Sequence, residues 1–210
     1  RVSLKTVATI GRLDGIKNLP MFVRSAAEVL RPHPETTFVV VGEGSEKRNL
    51  IQLANDAGIL DQFIFSGFVE DIPRLLSTVD ILVHTSLSEG LPNTVLKAIS
   101  MGKPVVTTDG GGEAELIENG ENGQLIDSGD SKQLTDTLYE LICSPDRMSD
   151  IGKAARSHAK SNFDRITNMD HFESLILNLV VDPRPVVALS PAIPMHDLPN
   201  QYFKRSCAFQ

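Results

Sequence analysis

Short, uninterrupted apolar runs separated by amphipathic stretches fill the first 130 or so residues, and that rhythm leaves few folds open. Thr6–Ile10, Thr37–Val41, Phe63–Phe65, Asp80–Thr85, Pro104–Thr107 and Gln124–Ile126 are brief, mostly continuous in apolar character and rich in Val and Ile. Strands of that kind belong to a parallel sheet covered on both faces. Between them lie helix patterns at Pro20–Leu30, Glu46–Ala57, Ile72–Ser77, Thr94–Met101 and Glu113–Glu118. Asn18, Ser45 and Asp71 stand where N-caps belong, and Gly58 and Gly102 where helices stop. Strict alternation of strand and helix predicts βαβ units with right-handed crossovers, hence an α/β, doubly wound, Rossmann-like parallel sheet. After Asp127 the pattern turns helical, at Ser131–Cys143, Pro145–Asn162 and Ile166–Val180. From Asp182 five prolines interrupt a stretch with little periodicity. The expected organisation is therefore a folded domain over residues 1–181 and an extended, Pro-rich tail over 182–210.

Composition removes several classes of function. A net charge of −7 argues against a general nucleic-acid binder. No apolar run approaches the roughly 18 residues of a membrane span. Cys143 and Cys207 are far apart, so a disulfide framework is not expected and a reducing compartment is. The chain opens with Arg1 and is in a strand almost at once. That start reads as a fragment whose N-terminal part is missing, which would leave a two-domain cleft with one wall.

In doubly wound sheets ligands bind beyond the carboxyl ends of the strands. Five loops fall there: Gly11–Lys17, Gly42–Gly44, Ser66–Glu70, Ser86–Asn93 and Asp109–Glu113. The fourth is the most informative. Glu89 follows an apolar strand, Gly90-Leu91-Pro92 makes a turn, and Asn93-Thr94 open a helix that includes Lys97. Backbone amides at such a helix start attract an anion, and a carboxylate beside them accepts hydrogen bonds from hydroxyls. Phosphate and hydroxyl recognition together suit a sugar nucleotide. Arg12 and Lys17, in the first loop, can neutralise a diphosphate, Arg by a two-pronged contact and Lys as a point charge. Gly42 and Gly44 form a tight turn that any such fold needs, so alone they say little. Phe68 and Val69 lie in a loop that either meets a base edge or merely connects. Gly110, Gly111 and Gly112 permit close backbone approach and would leave a positive helix end exposed; Glu115 reads as orienting that loop. His84, inside a strand, reads as a hydrogen-bonded core residue. The scattered histidines and two cysteines assemble no metal site. Neither a Walker A motif nor Gly-x-Gly-x-x-Gly is present.

Taken in order, Gly11-Arg12-Leu13 with Lys17-Asn18, Val41-Gly42-Glu43-Gly44, Gly67-Phe68-Val69, Glu89-Gly90-Leu91-Pro92-Asn93, and Gly111-Gly112 with Glu115 resemble the family 4 retaining glycosyltransferases. The likeness covers Val7–Asp127 closely and the following helices loosely. It implies the C-terminal, donor-binding half of a GT-B fold. Arg12 and Lys17 would hold the donor diphosphate and offset leaving-group charge, with Glu89 on the sugar hydroxyls. Gly90–Thr94 would meet the phosphates, and Phe68 and Val69 the base. The implied partners are a UDP- or GDP-sugar and a glycan or lipid acceptor bound through the absent N-terminal half, with no cofactor and no metal. The implied location is cytoplasmic, with the inner membrane face open to the absent half. One position departs from the family, whose second Glu accepts from the ribose hydroxyls; here it is Lys97, which has donors only. A non-catalytic nucleotide-sugar-binding module, and a sugar-nucleotide epimerase of the same architecture, remain open beside the transferase.

Overall fold

The computed structural model describes residues 4–164 and, beyond them, Ile166, Asn168, Met169, Phe172–Ser174, Ile176 and Leu177. The chain divides into two compact units, Arg1–Asp164 and Arg165–Gln210. In the second, the described residues are helical. Part of the expected helix Ile166–Val180 and all of the 182–210 tail lie outside the described residues.

The first unit is the expected sheet. Strands β1 (Thr6–Ile10), β2 (Thr37–Val41), β3 (Phe63–Gly67), β4 (Ile81–His84), β5 (Val105–Thr108) and β6 (Gln124–Ile126) pair in the order β3-β2-β1-β4-β5-β6. Every pairing is parallel. The helices are α1 (Leu19–Leu30), α2 (Lys47–Asp56), α3 (Ile72–Ser77), α4 (Asn93–Ser100), α5 (Ser131–Cys143) and α6 (Pro145–Asn162). Among the described residues no helix is long and apolar enough to cross a membrane.

Side-chain alternation along the strands builds two cores. Val7, Phe38, Val40, Ile81, Val83 and Val106 face α1, α2 and α5. Ala8, Ile10, Val39, Val41, Leu82 and Val105 face α3, α4 and α6. On the first face Phe22, Phe38 and Phe63 meet at ring-centroid distances of 5.5 to 6.2 Å, which fixes α1 on the sheet.

Two local expectations are corrected. Ser45 does not cap α2: Glu46 occupies the cap position, with its amide bonded to the Leu13 carbonyl at 2.9 Å. That bond draws the first turn toward the loop after β1 and starts the helix later. The helix expected over Glu113–Glu118 is only a 3-10 turn, Gly112–Glu115, followed by one wider turn closed by the Ile117 amide on the Glu113 carbonyl at 2.9 Å. It stops because the Asn122 side chain takes over the backbone, accepting from the Glu118 amide at 2.9 Å and donating to the Leu116 carbonyl at 3.3 Å. Asp71, by contrast, caps α3 as expected, accepting from the Arg74 amide at 3.0 Å.

Candidate functional site

The strand order reverses at β1, whose neighbours are β2 on one side and β4 on the other. A cleft opens where the loops after β1 and β4 diverge from such a reversal. Those two loops carry Arg12, Lys17 and Glu89. They are tied together by backbone and side chain: the Leu87 amide donates to the Ile16 carbonyl at 2.8 Å, and Thr85 Oγ1 donates to the Lys17 carbonyl at 2.7 Å. A left-handed residue, Asn18 (φ 46°), ends the first loop and turns the chain into α1.

Lys17 Nζ is ion-paired with Glu89 Oε1, and each side chain is less than a quarter exposed. Ser86 Oγ donates to the same carboxylate oxygen at 3.1 Å. Burial lowers the pKa of Lys17, with Asp14 acting against that trend. Arg12 behaves differently. Its guanidinium is 81% exposed and touches Asp14 at 3.2 Å, a pair too solvated to hold it in place.

The α4 N-terminus stands beside Glu89. Its cap position is Pro92, no side chain bonds its first amides, and its first turn carries no acid. An anion there meets uncancelled helix dipole. The Gly-rich loop after β5 closes against the same turn. Glu89 and Gly111 form a parallel bridge, with the Gly112 amide on the Glu89 carbonyl at 3.1 Å. A Cβ on Gly112 would lie 1.7 Å from the Gly90 carbonyl oxygen, so only glycine fits. The expectation of an exposed positive helix end at Gly110–Gly112 is therefore corrected, since that amide is spent holding the Glu89 loop. Across the switch point, the turn after β2 crosses the loop after β1 at equally short range. Gly42 has φ +132° and a Cβ there would lie 1.9 Å from the Gly11 carbonyl oxygen. Gly44 approaches Leu13 in the same way.

The remaining expected contacts are more exposed. Phe68 is 78% exposed beyond β3, with Val69 beside it half-buried. Leu91 and Asn93 are exposed and Thr94 half-buried. Lys97 is exposed on α4, and no ion pair holds it among the described residues. Glu115 is exposed on the 3-10 turn.

Two residues at the site were not expected there. His84 ends β4 on the side of Leu82, 5% exposed, with Nε2 3.7 Å from Glu89 Oε1 and 3.6 Å from Glu113 Oε1. Neither contact is a hydrogen bond, so the reading of His84 as a hydrogen-bonded core residue is corrected: its Nε2 has no such partner. Glu113 is completely buried and both its carboxylate oxygens lack hydrogen-bond partners. Burial is the main cause in both. It lowers His84 to about 4, with Lys17 adding to the effect, and it raises Glu113, with nearby backbone amides opposing. Strand parity places His84 below Glu89 and could have flagged it. Glu113 gave no signal, because the hydrophilic run around it reads as exposed loop.

Residues 2–158 match the family described as glycosyl transferases group 1. The chain belongs to that family. It is 31% identical over 169 residues to spore coat protein SA of Bacillus subtilis (strain 168), covering 76% of this chain and 45% of that protein. It is 35% identical over 115 residues to the Vi polysaccharide biosynthesis protein VipC/TviE of Salmonella typhi, covering 55% of this chain and 20% of that one. Among solved structures, Anabaena Alr3699/HepE in complex with UDP superposes with a TM-score of 0.77 at 29% identity, over 82% of this chain and 49% of that one. The C-terminal domain of the glycosyl transferase group 1 family protein LpcC from Francisella tularensis superposes with a TM-score of 0.73 at 28% identity, over 77% and 87%. The chain thus spans less than half the length of these curated relatives, yet most of an isolated C-terminal domain.

Proposed function

We propose that this chain is the donor-binding half of a retaining, family 4 type glycosyltransferase of GT-B architecture. It binds a UDP- or GDP-sugar and presents the sugar to a glycan or lipid acceptor held by a part of the protein outside this chain. The observation that carries the reading is the Lys17–Glu89 pair at the sheet's switch point, beside an uncapped helix start. The complex of the similar Anabaena protein with UDP supports it.

Each group has a definite task in this reading. As the anomeric C–O bond breaks, negative charge gathers on the departing diphosphate. Lys17, Arg12 and the amides of Gly90, Leu91, Asn93 and Thr94 meet that charge, and stabilisation of developing charge is what lowers the barrier. These groups suffice without a metal. Glu89 accepts from sugar hydroxyls, while Phe68 and Val69 offer an apolar platform to the base. Gly42, Gly44, Gly111 and Gly112 let the backbones come close enough to shape the site, with Gly11 supplying the carbonyl that Gly42 approaches. In the intact protein the reaction would run in the cytoplasm, with the inner membrane face available to a lipid acceptor.

A second reading, a non-catalytic nucleotide-sugar-binding module, is favoured by one residue. Lys97 cannot accept from the ribose diol as a carboxylate would. Calorimetric titration of the chain with UDP, GDP and their hexose conjugates tests the shared premise; absence of heat with all of them would remove it. Sugar transfer by the intact protein then separates the two readings.

A further inference from the structure

Behind the carboxylate that meets the sugar lies a sealed polar layer to which neither the fold nor the donor contacts assign a role. His84 Nε2 stands between Glu113 Oε1 at 3.6 Å and Glu89 Oε1 at 3.7 Å. Glu113 is completely buried, its two oxygens and the histidine nitrogen being without hydrogen-bond partners. Leaving such groups unpaired in a core is costly, and an apolar pair of similar shape would avoid that cost. The chain nevertheless places a carboxyl group where Leu116 and Ile117, its near neighbours, are packed as ordinary core.

The location suggests what these groups act on. Glu113 reaches the layer from the 3-10 turn that begins at Gly112, whose amide holds the Glu89 carbonyl at 3.1 Å. The backbone of this short segment therefore holds the Glu89 main chain, and its Glu113 side chain reaches the Glu89 carboxylate through His84. On its outer side the same carboxylate is held by Lys17 and Ser86. Glu113 itself has no surface and cannot touch a ligand.

We propose that Glu113 and His84 are positioning residues for Glu89, sealed beneath its carboxylate and fixing the rotamer it presents to the donor sugar. The proposal rests on the donor-site reading above. Burial disfavours charge on His84 and on Glu113 alike, so Glu89, paired with Lys17, keeps the negative charge of the cluster. Glu89 then stays aligned when Lys17 turns from it toward an arriving diphosphate. The layer serves recognition of the sugar and not of the nucleotide.

The test compares nucleotides with and without sugar on the whole chain. Calorimetry would use UDP, GDP, UDP-glucose, UDP-galactose, UDP-N-acetylglucosamine and GDP-mannose, with thermal melts to confirm folding. Glu113→Leu is expected to lower affinity for the bound sugar nucleotide about tenfold while leaving the free nucleotide within about twofold. Glu113→Gln keeps the shape and a donor group, and should restore most of the loss. If Glu113→Leu does not fold, His84→Asn, which cuts the same link from the other side, is read in the same way. Equal losses for nucleotide and sugar nucleotide, or none for either, would overturn the positioning role while leaving the donor site intact. A wild-type chain that binds none of the six would remove the donor-site reading first, and this proposal with it.

Discussion

Lys17 and Arg12 leave the same strand in the same loop, yet the fold treats them in opposite ways. Lys17 is ion-paired with Glu89, braced by Thr85 on its carbonyl and backed by His84 and Glu113. Arg12 stands in solvent with one weak neighbour. The division continues outward. The Glu89 turn is stitched to Gly110–Gly112 through the backbone, whereas Phe68 and Lys97 are exposed. Under the proposed function, the sugar end of the site is built before the donor arrives, and the nucleotide end is completed by it. Prepaid geometry at the reacting end is where it contributes most to rate.

The largest consequence concerns Lys17. On the proposed function, replacing it with Ala removes a transition-state contact, and it leaves Glu89 half-buried without its cation. Sugar transfer by the intact protein should fall on the order of a thousandfold, near 4 kcal/mol. The chain should also melt earlier, because an unpaired, partly buried carboxylate remains. A variant that loses activity with no change in melting temperature would break the claim that this half is pre-formed.

Acid titration probes the layer beneath. His84, lowered to about 4 by burial, resists protonation in the folded state, while the unfolded chain takes up that proton near the ordinary 6.5. Its contribution is complete above 6.5 and is lost as pH falls toward 4. At 1.36 kcal/mol per unit, that loss is about 3 kcal/mol. Glu113 runs the other way. Raised by burial, it costs stability at neutral pH, and the cost is relieved as acid protonates it. Unfolding curves between pH 7 and 4 should therefore flatten in His84→Asn and steepen in Glu113→Gln. The reverse pattern would show that neither group is sealed in.

That buried layer also marks how far the sequence could be read. The sheet, all six α-helices of the first unit and the switch-point loops were legible, because apolar runs and Gly or Pro punctuation report burial and chain reversal directly. Three of those helices, α1, α2 and α4, differ by only one residue at one or both ends. Ser45 failed as a cap because a long-range bond from the Glu46 amide to the Leu13 carbonyl set the helix start. The Glu113–Glu118 helix failed because a side chain, Asn122, outcompeted helical hydrogen bonding. Arg12, Lys17 and Glu89 were legible as types of chemistry, but their unequal fixation was not. Whether a loop cation meets a carboxylate 72 positions away is a tertiary fact. Glu113 was hidden for the opposite reason: a charged residue in a Gly-rich, acidic stretch carries no sign of burial.

Arg12 tests the open half. Since it is 81% exposed and its ion pair with Asp14 is solvated, Arg12→Ala should leave unfolding unchanged to within about 0.5 kcal/mol. Affinity for UDP or GDP should nonetheless drop roughly tenfold, through loss of a two-pronged phosphate contact, and Arg12→Lys should recover only part of it. Calorimetry beside a thermal melt separates these outcomes. A fall in stability matching the fall in affinity would place Arg12 with the built half and erase the contrast.

Lys97 gives the smallest and most selective effect. An ammonium group can donate to a ribose hydroxyl but cannot accept from either one, so the wild-type chain should bind UDP and 2′-deoxy-UDP with nearly equal affinity. Lys97→Glu supplies the acceptor. On an exposed helix face, a hydrogen bond between a charged group and a hydroxyl contributes about 1 kcal/mol, which corresponds to roughly fivefold. The gain should be larger for the ribose form, because the deoxy nucleotide offers the new carboxylate one hydroxyl fewer. An equal change for both nucleotides would instead report altered charge near the phosphates, and would place Lys97 with the diphosphate cations. The direction of that one ratio therefore decides whether the nucleotide end has lost a ribose contact or gained a third positive charge.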